Sequence, residues 1–184
     1  GGTVEGDAFG GVTQGTGAGT GNSVTIKGGS LGDEAAGGVV NNSANSANAS
    51  GNTLTISGGA FTKSGGTNVF GAYSDGSGKT TGNTVNLGDG TNAVAAGTRV
   101  AGTIYGGSKD LATDNTLNVK GNVNATNISN FAEINFHFNA HVNQSNSFLT
   151  LSDVGGTTLH SLSDLKINGE HGHKGTLLKN TGEI

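Results

Sequence analysis

The sequence predicts an all-β fold, a parallel β-helix (β-solenoid), and three observations lead there: a recurring phrase, a two-residue alternation inside it, and a composition hostile to helices. The phrase reads Gly21-Asn22-Ser23-Val24-Thr25-Ile26, Gly51-Asn52-Thr53-Leu54-Thr55-Ile56, Gly82-Asn83-Thr84-Val85-Asn86-Leu87 and Asp114-Asn115-Thr116-Leu117-Asn118-Val119. Its asparagines lie 30, 31 and 32 residues apart, a period found in solenoids, propellers and arrays. Within each copy apolar and polar residues alternate, the signature of a strand. Glycine supplies 36 of 184 residues and Ser, Thr and Asn much of the rest, which excludes helical arrays of the ankyrin or tetratricopeptide kind. A propeller blade needs a longer period, and its usual Trp-containing signature is missing, since the chain has no Trp. In a β-helix each strand lies ~4.8 Å above its predecessor, so like residues stack in ladders, which accounts for the repetition.

The elements follow in order. A second phrase lies between the copies: Ala8-Phe9-Gly10-Gly11, Ala35-Ala36-Gly37-Gly38, Val69-Phe70-Gly71-Ala72 and Ile104-Tyr105-Gly106-Gly107. Each repeat therefore has two apolar anchors joined by stretches of variable length, which read as loops. Parity turns Asn22, Asn52, Asn83 and Asn115 inward with the Val, Leu and Ile of the same strands. That predicts an internal asparagine ladder at a corner of the coil, each amide pairing with the amides above and below. The plainer alternative is that Gly-Asn pairs mark turns. Outward Thr and Asn form a polar wall. Phe9, Phe70 and Tyr105 share one slot, interrupted by Ala36, and are expected to face inward as core filling; facing outward, they would offer a stripe to a partner. The stretches Val39 to Ser50 and Thr91 to Ala101 are expected to protrude.

Residues 1–123 form the repeat region. After about Gly121 the apolar content rises: Ile134, Phe136, Phe138, Ala140 and Val142 alternate with polar residues, and Phe148, Leu149, Leu151, Leu159, Leu162, Leu165 and Ile167 follow. Residues 124–184 read as atypical terminal coils with a hairpin-like end, a capping segment that closes the apolar end of the stack and blunts its edge.

Composition narrows the function. With 32% apolar and 12% charged residues an ordinary globular core would be thin, whereas a solenoid buries side chains against two neighbours in every coil. A net charge of −4 with nine Lys and Arg offers no basic track for nucleic acid. The absence of Cys suggests a bacterial secreted chain that crosses an envelope before folding. No signal peptide or apolar run of membrane-spanning length is visible, and Gly1 begins within the repeat pattern, so the chain reads as a piece of a longer protein.

The run Gly51-Asn52-Thr53-Leu54-Thr55-Ile56-Ser57-Gly58-Gly59, then Val69-Phe70-Gly71-Ala72-Tyr73-Ser74 and Gly82-Asn83-Thr84-Val85-Asn86-Leu87, resembles the passenger repeats of large bacterial autotransporter adhesins. The resemblance covers roughly residues 1 to 123. It implies a right-handed parallel β-helix, the hand usual for parallel β crossovers, displayed at the Gram-negative cell surface or secreted. It also implies attachment to a host or bacterial cell-surface protein or glycan. The family's membrane barrel has no counterpart here, and Ser74-Asp75-Gly76-Ser77-Gly78 departs from the protease sequence Gly-Asp-Ser-Gly, so display is implied and proteolysis is not.

Candidate chemistry is sparse. His137 and His141 lie about 13 Å apart along a strand, too far to share a metal. His171 and His173, beside Glu170 and flanked by Gly169, Gly172 and Gly175, read as solvated histidines rather than a metal site. Gly88-Asp89-Gly90 lacks the tandem frame of a calcium-binding nonapeptide. Glu5, Asp7, Asp33, Glu34, Asp75, Asp89, Asp110 and Asp114 are scattered through loops, and Arg99 is the only arginine. The expectation is a non-catalytic stalk with no cofactor; the alternative is a β-helical glycan-active enzyme, a polysaccharide lyase or hydrolase with paired carboxylates on one face. Thr53 and Thr55 form a Thr-x-Thr pair, but the array degrades at Asn86 and Asn118, against a regular ice-matching lattice.

Overall fold

The computed structural model describes residues 2–61, 68–108, 114–138 and 147–152 in full, and the backbone alone at 165–168 and 178–180. The chain winds coil upon coil. β1 (Thr3–Val4), β2 (Ala8–Phe9), β3 (Val12–Thr13) and β4 (Gly19–Thr20) make the first coil, and β5 (Ser23–Leu31), β6 (Ala35–Val40) and β7 (Ala49–Ser50) the second. β8 (Thr53–Phe61), β9 (Val69–Ser74) and β10 (Thr80–Thr81) follow, then β11 (Thr84–Leu87) with β12 (Arg99–Tyr105) and β13 (Thr116–Val119) with β14 (Val123–Ser129). β15 (Glu133–His137), β16 (Leu149–Leu151), β17 (Leu165–Asn168) and β18 (Leu178–Asn180) complete the series. Every strand pair among the described residues is parallel. The architecture is the all-β parallel solenoid that the repeat predicts.

Three faces surround the main core. The first stacks β5, β8, β11, β13, β15 and β17, with each copy of the phrase lying on the last: Val24, Leu54, Val85, Leu117 and Ile134 are aligned, as are Ile26, Ile56, Leu87, Val119 and Phe136. The second runs from β1 through the ends of β5 and β8 to the starts of β12 and β14, then β16 and β18. The third stacks β2, β6, β9 and the ends of β12 and β14. Leu54, Ile56, Val85, Leu87, Leu117 and Val119 are fully buried, each worth about 1.5–3 kcal/mol relative to exposure. Val24 and Ile26 are only half-buried, because among the described residues Ser23–Ile26 pairs with β8 alone.

The coil is not convex. At Gly37 and Gly38 the chain passes against the start of the first face: a Cβ on Gly37 would lie 2.5 Å from the Gly71 carbonyl oxygen, and one on Gly38 would collide with the Asn52 side chain. Beyond this waist the chain leaves the main core, builds a smaller lobe and returns at Gly51. The lobe has its own buried cluster, Val40, Ala49 and Ala72, and its own three-stranded sheet, β4, β7 and β10. The expectation that Val39 to Ser50 protrudes is corrected in part: Asn41, Ser43, Ala44, Ser46 and Asn48 are exposed, but the stretch is anchored as a packed lobe. Val39, Val40 and Ala49 are buried, and the buried Asn45 donates through Nδ2 to Gly15 O (2.9 Å) and Gly17 O (3.0 Å). The 91–101 stretch is exposed at Thr91–Ala93 and Ala95–Gly97, while Val94 packs on the core and Val100 is buried.

The small lobe is omitted after β14. From Ser129 the chain reaches Glu133 directly, turning at Asn130 (φ 61°), and the Ala132 and Glu133 amides both donate to Asn115 O (2.9 and 3.3 Å). β14, β15 and β16 nevertheless continue the parallel stack. Phe136, Phe138 and Phe148 gather inside it, with ring centroids 6.4 Å (Phe136–Phe148) and 4.7 Å (Phe138–Phe148) apart.

Candidate functional site

The asparagines of the recurring phrase sit at the waist. Asn22 Nδ2 donates to Asn52 Oδ1, Asn52 Nδ2 to Asn83 Oδ1 and Asn83 Nδ2 to Asn115 Oδ1, each at 3.1 Å. The same three oxygens also accept the backbone N–H of the preceding asparagine at 2.9 Å. The second amide proton reaches the small lobe: Asn52 to Gly19 O (2.8 Å), Asn83 to Ala49 O (3.2 Å) and Asn115 to Thr80 O (3.0 Å). Asn52, Asn83 and Asn115 have no solvent exposure, so the ladder satisfies groups that would otherwise be costly to bury. The turn reading holds alongside it. Gly21, Gly51, Gly82 and Asp114, each preceding a ladder asparagine, have φ of 67, 64, 63 and 57°, the left-handed region that glycine favours and aspartate tolerates. Asn115 is followed in the stack by Ala132, beside the Glu133 that pairs with Thr116, so the amide series ends there.

The outer side of the first face is the polar wall, and it contains a second ladder. Thr25, Thr55, Asn86, Asn118 and Asn135 are aligned. Asn86 Nδ2 donates to Thr55 Oγ1 (3.3 Å), Asn118 Nδ2 to Asn86 Oδ1 (3.0 Å) and Asn135 Nδ2 to Asn118 Oδ1 (3.0 Å). Among the described residues Asn135 Oδ1 is buried with no partner, and the next residue in register is Lys166. The alternating Asn86 and Asn118 of the phrase were the sequence signal for this ladder.

Beside that ladder lies a trough of about 430 Å³, lined by Thr25, Lys27, Thr55, Asn86, Gly88, Asp89 and Lys120. Lys27 pairs with Gly58, Gly88 N donates to Ile56 O (2.7 Å) and Lys120 N to Leu87 O (2.8 Å). One rung bearing Ser57 and Gly58 and one bearing Gly88 therefore separate the rungs bearing lysine. The Asp89 carboxylate is held well below the usual carboxylate range by the Asn92 side chain (3.0 Å) and the Thr91 and Asn92 amides (2.8 Å each). Those same bonds occupy the Gly88-Asp89-Gly90 carboxylate in its own turn. His137 stands on the coil after Lys120, its pKa lowered by burial and then by the charge of Lys120.

The aromatic stripe corrects another expectation. Phe70 does not join the main core; with Ala36 and Val39 it forms a separate buried cluster, against which Phe9, Tyr73 and Tyr105 are partly buried. Its neighbours Ala35, Val69 and Ile104 point the other way, into the main core. The stripe thus lines the crease where the outer surfaces of the two lobes converge. Phe70 and Tyr105 stack with centroids 5.0 Å apart and planes at 10°, and Tyr73 meets Phe70 edge-on at 5.3 Å. Tyr73 Oη donates to Asp75 Oδ1 (2.6 Å); that bond, then burial and the charges of Asp75 and Glu34, push the phenol up to about 12.

Other sequence candidates are placed as follows. Asp7 Oδ1 accepts the Glu34 N–H (3.0 Å), bringing the two acidic pairs Glu5–Asp7 and Asp33–Glu34 onto adjacent coils. Among the described residues no three His, Cys, Asp or Glu side chains are grouped to hold a metal ion, and no helix is long and apolar enough to cross a membrane. His141, Glu170, His171, His173 and Asp110 lie outside the described residues.

Fold and surface together define a right-handed parallel β-solenoid with an internal asparagine ladder and a polar outer wall, a class shared by many solenoid families. In comparisons with family models, curated proteins and solved structures, nothing matches the chain.

Proposed function

We propose that the chain is a non-catalytic segment of a surface-displayed adhesin passenger of the autotransporter type. It serves as an extended β-helical stalk, outside a Gram-negative cell or secreted from it, that carries or forms a surface for a host or bacterial cell-surface protein or glycan. The supporting observation is the wall: the first face presents in-register columns of Ser, Thr and Asn, backed by a ladder tying each coil to the next. Such a rod lengthens by ~4.8 Å per coil, which suits holding a binding surface away from a membrane. The reading needs no cofactor. Antibody labelling of intact producing cells should detect the chain, and beads coated with it should retain host-cell surface material. Labelling only after lysis would overturn display; coated beads that retain nothing would reduce the segment to a spacer.

A second reading, a β-helical glycan-active enzyme, draws on the crease, where Tyr73 and Asp75 share a short hydrogen bond within the field of Glu34. Incubation with acidic and neutral polysaccharides separates the two. New chain ends that vanish in Tyr73→Phe would favour the enzyme; intact polysaccharide retained on the protein would favour the stalk.

A further inference from the structure

We infer that the trough on the outer wall binds an acidic glycan, a run of hydroxyl-bearing rings that carries carboxylate or sulfate groups. Its volume, about 430 Å³, falls in the ~300–1,000 Å³ range of ligand clefts. Its floor lies on the two middle rungs, lined by Thr55 on one and by Asn86 and Gly88 on the other. Lys27 and Lys120 close the two ends, three rungs or ~14 Å apart along the stack. That separation suits anionic groups borne on successive or alternate sugar rings. Charge decides the sign of the ligand, and the floor decides its kind. Thr25 and Thr55 hydroxyls, the Asn86 amide and the Asp89 carboxylate place donors and acceptors side by side, matching hydroxyls that both give and take hydrogen bonds. Asp89 Oδ1 is filled by the Thr91 and Asn92 amides, while Oδ2, with one bond from Asn92 Nδ2, keeps a lone pair for a sugar hydroxyl.

The inference deepens the reading of the chain as a binding stalk. It is tested on purified protein, so that failure of display and failure of the trough are separate results. The full 184-residue chain is titrated calorimetrically with a heparin-type sulfated oligosaccharide, an oligogalacturonate, a neutral cello-oligosaccharide and poly-glutamate. At least one acidic glycan should bind, more weakly as salt rises, and preference between the two identifies sulfate or carboxylate as the recognised group. The Lys27→Gln/Lys120→Gln double variant should lose ~10-fold or more in affinity, the scale of charge-assisted contacts, while its circular dichroism spectrum stays that of the parent. If the double variant does not fold, Lys27→Gln alone, at an exposed side chain, should still weaken binding several-fold. Three results would each overturn the inference: neither acidic glycan binds, the lysine variants bind like the parent, or the neutral sugar or poly-glutamate matches the better acidic glycan.

Discussion

At the residue scale, Asn52 is the most informative position. Its Oδ1 accepts from two groups of Asn22 and its Nδ2 donates to Gly19 O and Asn83 Oδ1, so Asn52→Leu removes these partners from Asn22 and Gly19 and leaves Asn83 Oδ1 with the backbone N–H alone. The loss should be at least ~1–3 kcal/mol, read as a melting temperature lower by several degrees. Asn68 is unsuitable as a neutral control, because its Oδ1 accepts the Thr103 N–H (3.0 Å). The exposed Asn41 is suitable, and equal thermal shifts for Asn52→Leu and Asn41→Leu would remove the ladder as a source of stability. The residue before the ladder offers a signed test. Gly51→Ala meets no steric obstacle yet must adopt φ 64°, so it should destabilise by about 1 kcal/mol, whereas Asp114→Gly should stabilise by up to about 1 kcal/mol. Denaturant midpoints that move in the same direction for both would contradict this account of the turn.

At the scale of the element, β15 carries a pH response. Burial and Lys120 depress the His137 pKa, so the unfolded chain binds a proton there more readily than the folded one. The contribution of His137 is therefore fully present above the ordinary histidine pKa of ~6.5 and is lost as pH falls through and below it. Stability measured from pH 8 to pH 5 should decline in the parent and decline less in His137→Gln. Identical profiles would assign the decline to other groups. Tyr73 acts at the opposite end of the scale. Its raised pKa favours the neutral phenol in the folded state, so any stability it lends is lost as pH rises above ~10 towards 12.

For the whole molecule, stability comes from stacking, and each coil depends on its neighbours. Leu117 and Val119 have no solvent exposure and pair with Ile134 and Phe136 of the following coil. A chain ending at residue 123 would uncover that side of β13 and leave its edge unpaired, so it should aggregate or melt at lower temperature. A chain starting at Gly21 should suffer less, because the coil it removes already exposes Val4 and Val12 at 50% and 47%. Scattering and circular dichroism melts on both truncations test this; a 1–123 fragment that stays monomeric with unchanged melting would show that the later segment is no cap.

The sequence by itself determined the repeat, its strand period, the inward parity of Asn52, Leu54 and Ile56 and the polar wall opposite them. These are legible because a solenoid turns a linear period directly into a stack, and alternation fixes which side of a strand faces its own coil. Alternation cannot say what lies on the other side. Phe70 points away from the main core yet is buried, because the chain pinches at Gly37 and Gly38 and folds a second lobe beside the first. The same pinch made a packed lobe of Val39–Ser50, and the direct return from Ser129 to Glu133 ended the ladder at Asn115. The trough between Lys27 and Lys120 likewise required the register that brings residues 93 positions apart onto one face. Each of these rests on where distant coils meet, which only the tertiary structure decided.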